Sequence, residues 1–140
     1  MPTINFPSSV PLTSTRPYAD VILSPGHKSA CVDVCLVDTG ADFLMLPVAA
    51  GQRVGLLPSG TLPTSSSGWQ RLGITTRSVL GVGGSLVCPF VTGVTVEIEG
   101  HRVPGVDVLF DLNNRSELAG RQLIQLAFRF GLTRTEWLHT

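Results

Sequence analysis

Apolar positions along this chain come in short runs and alternations, separated by clusters of Gly, Pro and Ser, and only one late segment repeats at helical spacing. Tyr18 to Leu23 reads as a first strand. Ser24-Pro25-Gly26-His27 reads as a turn, because Pro sets φ and Gly accepts a positive φ. Lys28 to Val37 reads as the returning strand, and its second half is nearly continuously apolar, as in a strand covered on both faces. Pro47 to Gln70, rich in Gly, Pro and Ser, reads as surface loop with one helical turn, its far end anchored by Trp69.

Ile74 to Leu80 alternates as a strand, Gly81-Val82-Gly83-Gly84 turns it, and Ser85 to Val91 returns: a hairpin with a glycine-rich tip. Val94 to Glu99 alternates cleanly, Gly100-His101 turns, and Arg102 to Phe110 is its partner. Leu123, Leu126, Ala127 and Phe130 recur at helical spacing, with Gly131 as a natural stop, and Leu132 to Leu138 reads as a last strand. The pattern predicts an all-β, mostly antiparallel domain, closed or sandwiched, with a single C-terminal helix. Residues 1–17, with four prolines, read as an extended arm.

Composition narrows the function classes. A chain of 140 residues is one domain with room for a core of its own. Charged residues are only 14% and balance to zero, so no basic patch points to nucleic acid and no acidic tail to disorder. No apolar run approaches the ~20 residues that span a bilayer, and no charged n-region with an h-region marks a signal peptide. A cytoplasmic location is the expectation. Cys31, Cys35 and Cys88 have no metal or redox spacing and read as small buried hydrophobes, with Cys31 and Cys35 on one strand face. His27, His101 and His139 are scattered, the first two in turns, so neither a metal nor another cofactor is expected.

The candidate chemistry lies at Asp38-Thr39-Gly40-Ala41-Asp42, where an apolar strand delivers one carboxylate to a Gly-containing turn. Hydrolysing an amide with carboxyl groups takes two of them around one water, one ionised and one protonated. Two carboxylates about 3 Å apart cannot both ionise, so such a pair shares a proton. The chain has one Asp-Thr-Gly; Asp107 and Asp111 lack the following Thr/Ser-Gly. The second carboxylate therefore has to come from a second chain, across a C2 axis.

Four features stand in order: the strand ending in Asp38-Thr39-Gly40-Ala41-Asp42, the hairpin with its Gly-rich tip, the Glu99-Gly100-His101 turn, and Leu118-Ala119-Gly120-Arg121 before a helix. Over residues 18–131 this resembles the retropepsins, the single-domain aspartic proteases best known from retroviruses. The resemblance implies the small closed β domain of the single-lobe acid-protease type, forming a C2 homodimer that cuts extended peptides. It implies Asp38 as the catalytic carboxylate, Thr39 bonding across to the partner chain, and Gly40 offering backbone to substrate. Leu80 to Gly84 matches the flap tip, with Gly81, Val82 and Gly83 over bound peptide. Leu36, Ala41, Asp42, Val79 and Leu118 fall beside the cleft, favouring hydrophobic side chains at the cut bond. Gly120 and Arg121 match a structural Gly-Arg pair, which implies a contact between Arg121 and Asp42.

The chain differs from the compact retroviral enzymes in a longer segment between Phe43 and the hairpin, and in residues 132–140, a tail that could supply a dimer strand. An alternative reading is a catalytically silent module of the same fold that binds peptides or dimerises a partner. A precursor whose residues 1–17 are removed on activation is a third.

Overall fold

The structure, a computed structural model, describes residues 18–81 and 84–127. The predicted arm 1–17, Val82 and Gly83 at the hairpin tip, Phe130, Gly131 and the tail 132–140 lie outside the described residues. Seven strands form one mixed sheet: β1 (Tyr18–Leu23), β2 (Cys31–Val37), β3 (Leu44–Pro47), β4 (Thr75–Gly81), β5 (Gly84–Ile98), β6 (His101–Asp111) and β7 (Leu118–Ala119). Their order is β1-β2-β7-β3-β6-β5-β4, and β1 also pairs with β5, Val21 opposite Ile98, so six of the seven strands close into a barrel. Only β4 stands outside the closure, held by the first half of β5.

Three short helices accompany the sheet: α1 (Val48–Arg53), α2 (Ser66–Arg71) and α3 (Arg121–Ala127). The segment 47–70 thus carries two helices where one turn is expected. Gly55, Pro58, Gly60 and Pro63 sit between the helices, while Gly51 and Gly68 lie within them, and Ser65 caps α2 by accepting the Gly68 N–H at 3.2 Å. Trp69 is fully buried in the main core.

Further differences from the sequence reading have local causes. A break is expected between Val91 and Val94, at Gly93, but β5 runs through it. Gly93 takes a positive φ at a bulge, and its N–H reaches the Asp107 carboxylate at 3.3 Å. Lys28, Ser29 and Ala30 belong to the turn before β2, and His101 begins β6. The apolar second half of β2 is covered on one face only: Cys31, Cys35 and Val37 point into the barrel, while Val32 is 62% and Val34 53% exposed. On α3, Leu123, Ile124 and Ala127 are buried and Leu126 is half exposed, so the buried stripe runs through Ile124. The sheet is mostly antiparallel, as expected, with β7 and β6 running parallel to β2 and β3 respectively.

All three cysteines are free and buried. Among the described residues no helix is long and apolar enough to cross a membrane.

Candidate active site

The insertion of β7 between β2 and β3 builds the site. Leu36 lies opposite Leu118 and Val37 opposite Ala119 in parallel register, while Met45 of β3 faces Leu118 from the other side. The chain between β2 and β3, residues 38–43, therefore turns directly beside the end of β7 and the start of α3. Four backbone hydrogen bonds lock it there. The Leu36 and Asp38 N–H groups donate to the carbonyls of Glu117 (2.9 Å) and Ala119 (3.0 Å), and those of Arg121 and Gln122 donate to Ala41 (2.8 Å) and Asp42 (3.0 Å). The last two satisfy first-turn donors of α3 that have no partner within the helix.

Gly120 permits this approach. A Cβ there would stand 2.6 Å from the Phe43 carbonyl carbon and 2.8 Å from its nitrogen, closer than packed atoms come. The Arg121 guanidinium pairs with the Asp42 carboxylate across the same junction. Both side chains are at least half exposed, so the pair orients the loop more than it stabilises the fold.

Asp38 is half-buried at the end of β2. Its Oδ1 accepts the Gly40 N–H at 2.9 Å and its carbonyl accepts the Ala41 N–H at 3.2 Å, a turn that holds the carboxylate in one orientation. Its other oxygen has no partner among the described residues. The Thr39 hydroxyl likewise makes no hydrogen bond among them. Asp107 and Asp111 are committed elsewhere. Asp107 takes the Gln122 amide at 2.8 Å as well as the Gly93 N–H. Asp111 is buried and accepts the N–H groups of Asn113 (2.9 Å) and Arg115 (3.1 Å). Burial alone would raise the Asp111 carboxyl; these bonds and those from Ser116 outweigh it and hold it below the usual carboxylate value.

The β4–β5 hairpin closes one side. Its register, Val79 opposite Leu86 and Gly81 opposite Gly84, puts Val79, Leu86 and Cys88 on one face. A second, smaller core of Met45, Cys88, Phe90 and Leu109 lies under it, with Phe43, Val79 and Leu118 packed against it. Leu36, Leu118, Gly120, Arg121 and residues 38–42 thus meet at one junction, and Val79 joins Leu118 through this cluster. Gly81 stands further out, at the end of β4.

Sequence reasoning missed Phe43 and Arg77. The Arg77 guanidinium lies over two rings, 4.5 Å from the Phe90 centroid and 5.1 Å from that of Phe43. Counting back by two from Val79 would have put Arg77 on the inner face; nothing in the sequence pairs Phe43 with Phe90.

Burial drives the thiols of Cys35 and Cys88 up, reinforced at Cys35 by Asp33, Glu117 and Asp20 and at Cys88 by Asp111, which leaves both unsuited to act as nucleophiles. Among the described residues no group of three or more His, Cys, Asp or Glu is arranged to hold a metal. No family model matches the chain, and no curated protein matches it.

Proposed function

We propose that this chain is an aspartic endopeptidase of the retropepsin type, active as a C2 homodimer that places Asp38 opposite its symmetry mate. The observation that carries the reading is the braced turn: Asp38 at the end of β2, with loop 38–43 locked to the start of α3 and the second Asp38 carboxylate oxygen without a partner among the described residues. A rigid mount suits a catalytic carboxylate, since a preorganised group needs no reorganisation as charge develops.

In the proposed dimer the two Asp38 carboxylates share one proton. The ionised one takes a proton from a water as that water attacks the peptide carbonyl, and the protonated one donates to the carbonyl oxygen. As the tetrahedral intermediate collapses, the hydroxyl formed from the carbonyl oxygen returns its proton to one carboxylate. The other carboxyl gives the proton it took from water to the nitrogen, the C–N bond breaks, and the pair again holds one proton. Thr39, whose hydroxyl has no partner among the described residues, would bond across the axis. Leu36, Val79 and Leu118 would face apolar substrate side chains, Ala41 and Asp42 would bind the peptide alongside, and the hairpin with Gly81, Val82 and Gly83 would cover it.

A second reading, a silent peptide-binding or dimerisation module, draws on the hydrogen bond from Gly40 to Asp38, which is also how an aspartate caps an ordinary turn. The two are separated by incubating a diverse peptide mixture with wild type and Asp38→Asn from about pH 4 to pH 7 at several protein concentrations. Cleavage by wild type alone, with specific activity rising with concentration, supports the dimeric protease. Silence of a folded, dimeric wild type supports the module.

A further inference from the structure

Arg77 is one of the few cations beside the candidate site, and its setting is unusual for an exposed arginine. It projects from β4 on the face shared with Val79, directly opposite Cys88. The Phe43 and Phe90 rings meet at 5.0 Å between centroids with a 56° tilt, and the guanidinium carbon lies over both. An arginine that merely shields apolar surface lays its methylenes on that surface and sends its head to water. Here the charged head itself rests on the rings. A guanidinium held over rings by cation–π attraction still carries its N–H donors, a fork suited to two oxygen atoms.

No acid among the described residues uses that fork. The one ion pair among the described residues joins Arg121 to Asp42, so the acid next to Phe43 is already engaged. Phe43 in turn follows Asp42 in the loop that carries Asp38, and it packs against the cluster that includes Val79 and Leu118. This cation, unpaired among the described residues, therefore stands on the wall of the same proposed cleft, on the cluster that Val79 and Leu118 pack against.

We infer that Arg77, seated on Phe43 and Phe90, forms a subsite that takes an anionic side chain of an extended peptide, a carboxylate or a phosphate, at a position flanking the apolar centre. The inference rests on the cleft reading proposed above. It adds a charge rule to it: apolar residues at the cut bond and an acid to one side. The fork geometry favours a planar or tetrahedral oxyanion over a neutral amide, which offers only one acceptor oxygen.

The test uses decapeptides with an apolar centre, made as Glu/Gln and phosphoserine/serine twins at each flanking position. Cleavage is measured for wild type, Arg77→Met and Arg77→Glu, and binding of the same peptides to Asp38→Asn, with and without Arg77→Met, by fluorescence anisotropy. Near-UV circular dichroism checks that each variant is folded, and Arg77→Gln replaces Arg77→Met should the latter fail.

At one position, wild type should favour the acidic twin by about fivefold in kcat/KM, as expected of a partly solvated charge contact. The preference should vanish in Arg77→Met and reverse in Arg77→Glu. The comparison of Glu with phosphoserine decides between the two anions. An equal Glu/Gln ratio in wild type and Arg77→Met, with cleavage intact, overturns the subsite and leaves the protease standing. Binding with an Arg77-dependent acid preference but no cleavage removes the catalysis and keeps the subsite. A folded protein that neither binds nor cuts any peptide overturns both.

Discussion

Gly120 lies against the backbone of Phe43 too closely to admit a side chain, and this close approach lets the backbone hydrogen bonds from Arg121 and Gln122 hold the Asp38 loop onto the start of α3. Gly120→Ala forces Phe43 and the loop 38–42 away from α3, breaking the bonds from Arg121 and Gln122. It should cost about 2–4 kcal/mol in urea unfolding, since backbone cannot yield as a flexible side chain can. Any cleavage activity should fall with it. Arg121→Met, which removes only an exposed ion pair, should cost less than about 1 kcal/mol. A Gly120→Ala protein as stable as wild type would show that the junction is loose.

Asp111 holds the turn between β6 and β7 through a buried carboxylate. Its folded-state pKa lies below the ordinary value, so its contribution is present above the unfolded carboxyl's pKa, about 4, and is lost as pH falls through the folded value. Asp111→Ala orphans at least two N–H donors and should cost about 2–4 kcal/mol at pH 7. Urea titrations at pH 7 and at pH 3 check this, and the gap between variant and wild type should narrow at the lower pH.

Asp33 has the opposite sign. It sits on the inward face of β2 with one carboxylate oxygen buried and unpartnered among the described residues. Burial, reinforced by Glu117 and opposed by Arg53, raises its carboxyl above the ordinary value. Stability is then lost as pH rises from the unfolded carboxyl's pKa through the folded one. Asp33→Asn should raise Tm by about 2 °C at pH 7, a small gain because part of the group meets solvent, and should have no effect below about pH 4. A drop in Tm at pH 7 would show that attraction to Arg53 outweighs the burial.

Among the described residues Trp69 is the largest fully buried side chain, and its Nε1 is buried without a partner there. Trp69→Ala should cost about 3–5 kcal/mol, whereas Trp69→Phe, which also removes the unpaired N–H, should cost about 1–2 kcal/mol. Denaturant midpoints for the two variants measure the difference. Equal costs would show that the indole N–H has a partner after all.

By itself the sequence determined the local elements whose signals are local. Alternation marked the β4–β5 and β5–β6 hairpins, glycines marked their turns, and the apolar strand running into Asp38-Thr39-Gly40 marked the candidate site, whose bracing residues Gly120 and Arg121 the resemblance supplied. Tertiary structure decided the rest. Leu118-Ala119 is a strand of only two residues, invisible to periodicity, yet its insertion between β2 and β3 brings Asp38 to α3. The β1–β5 closure likewise joins residues some 75 positions apart, which no spacing rule reaches. Val32 and Val34 look buried in sequence and face solvent, because coverage of a strand depends on what packs above it rather than on its own residues. Arg77 met Phe43 and Phe90 only once the hairpin had folded over β3, since contact between distant side chains is fixed by the path of the backbone and leaves no periodic trace in the chain.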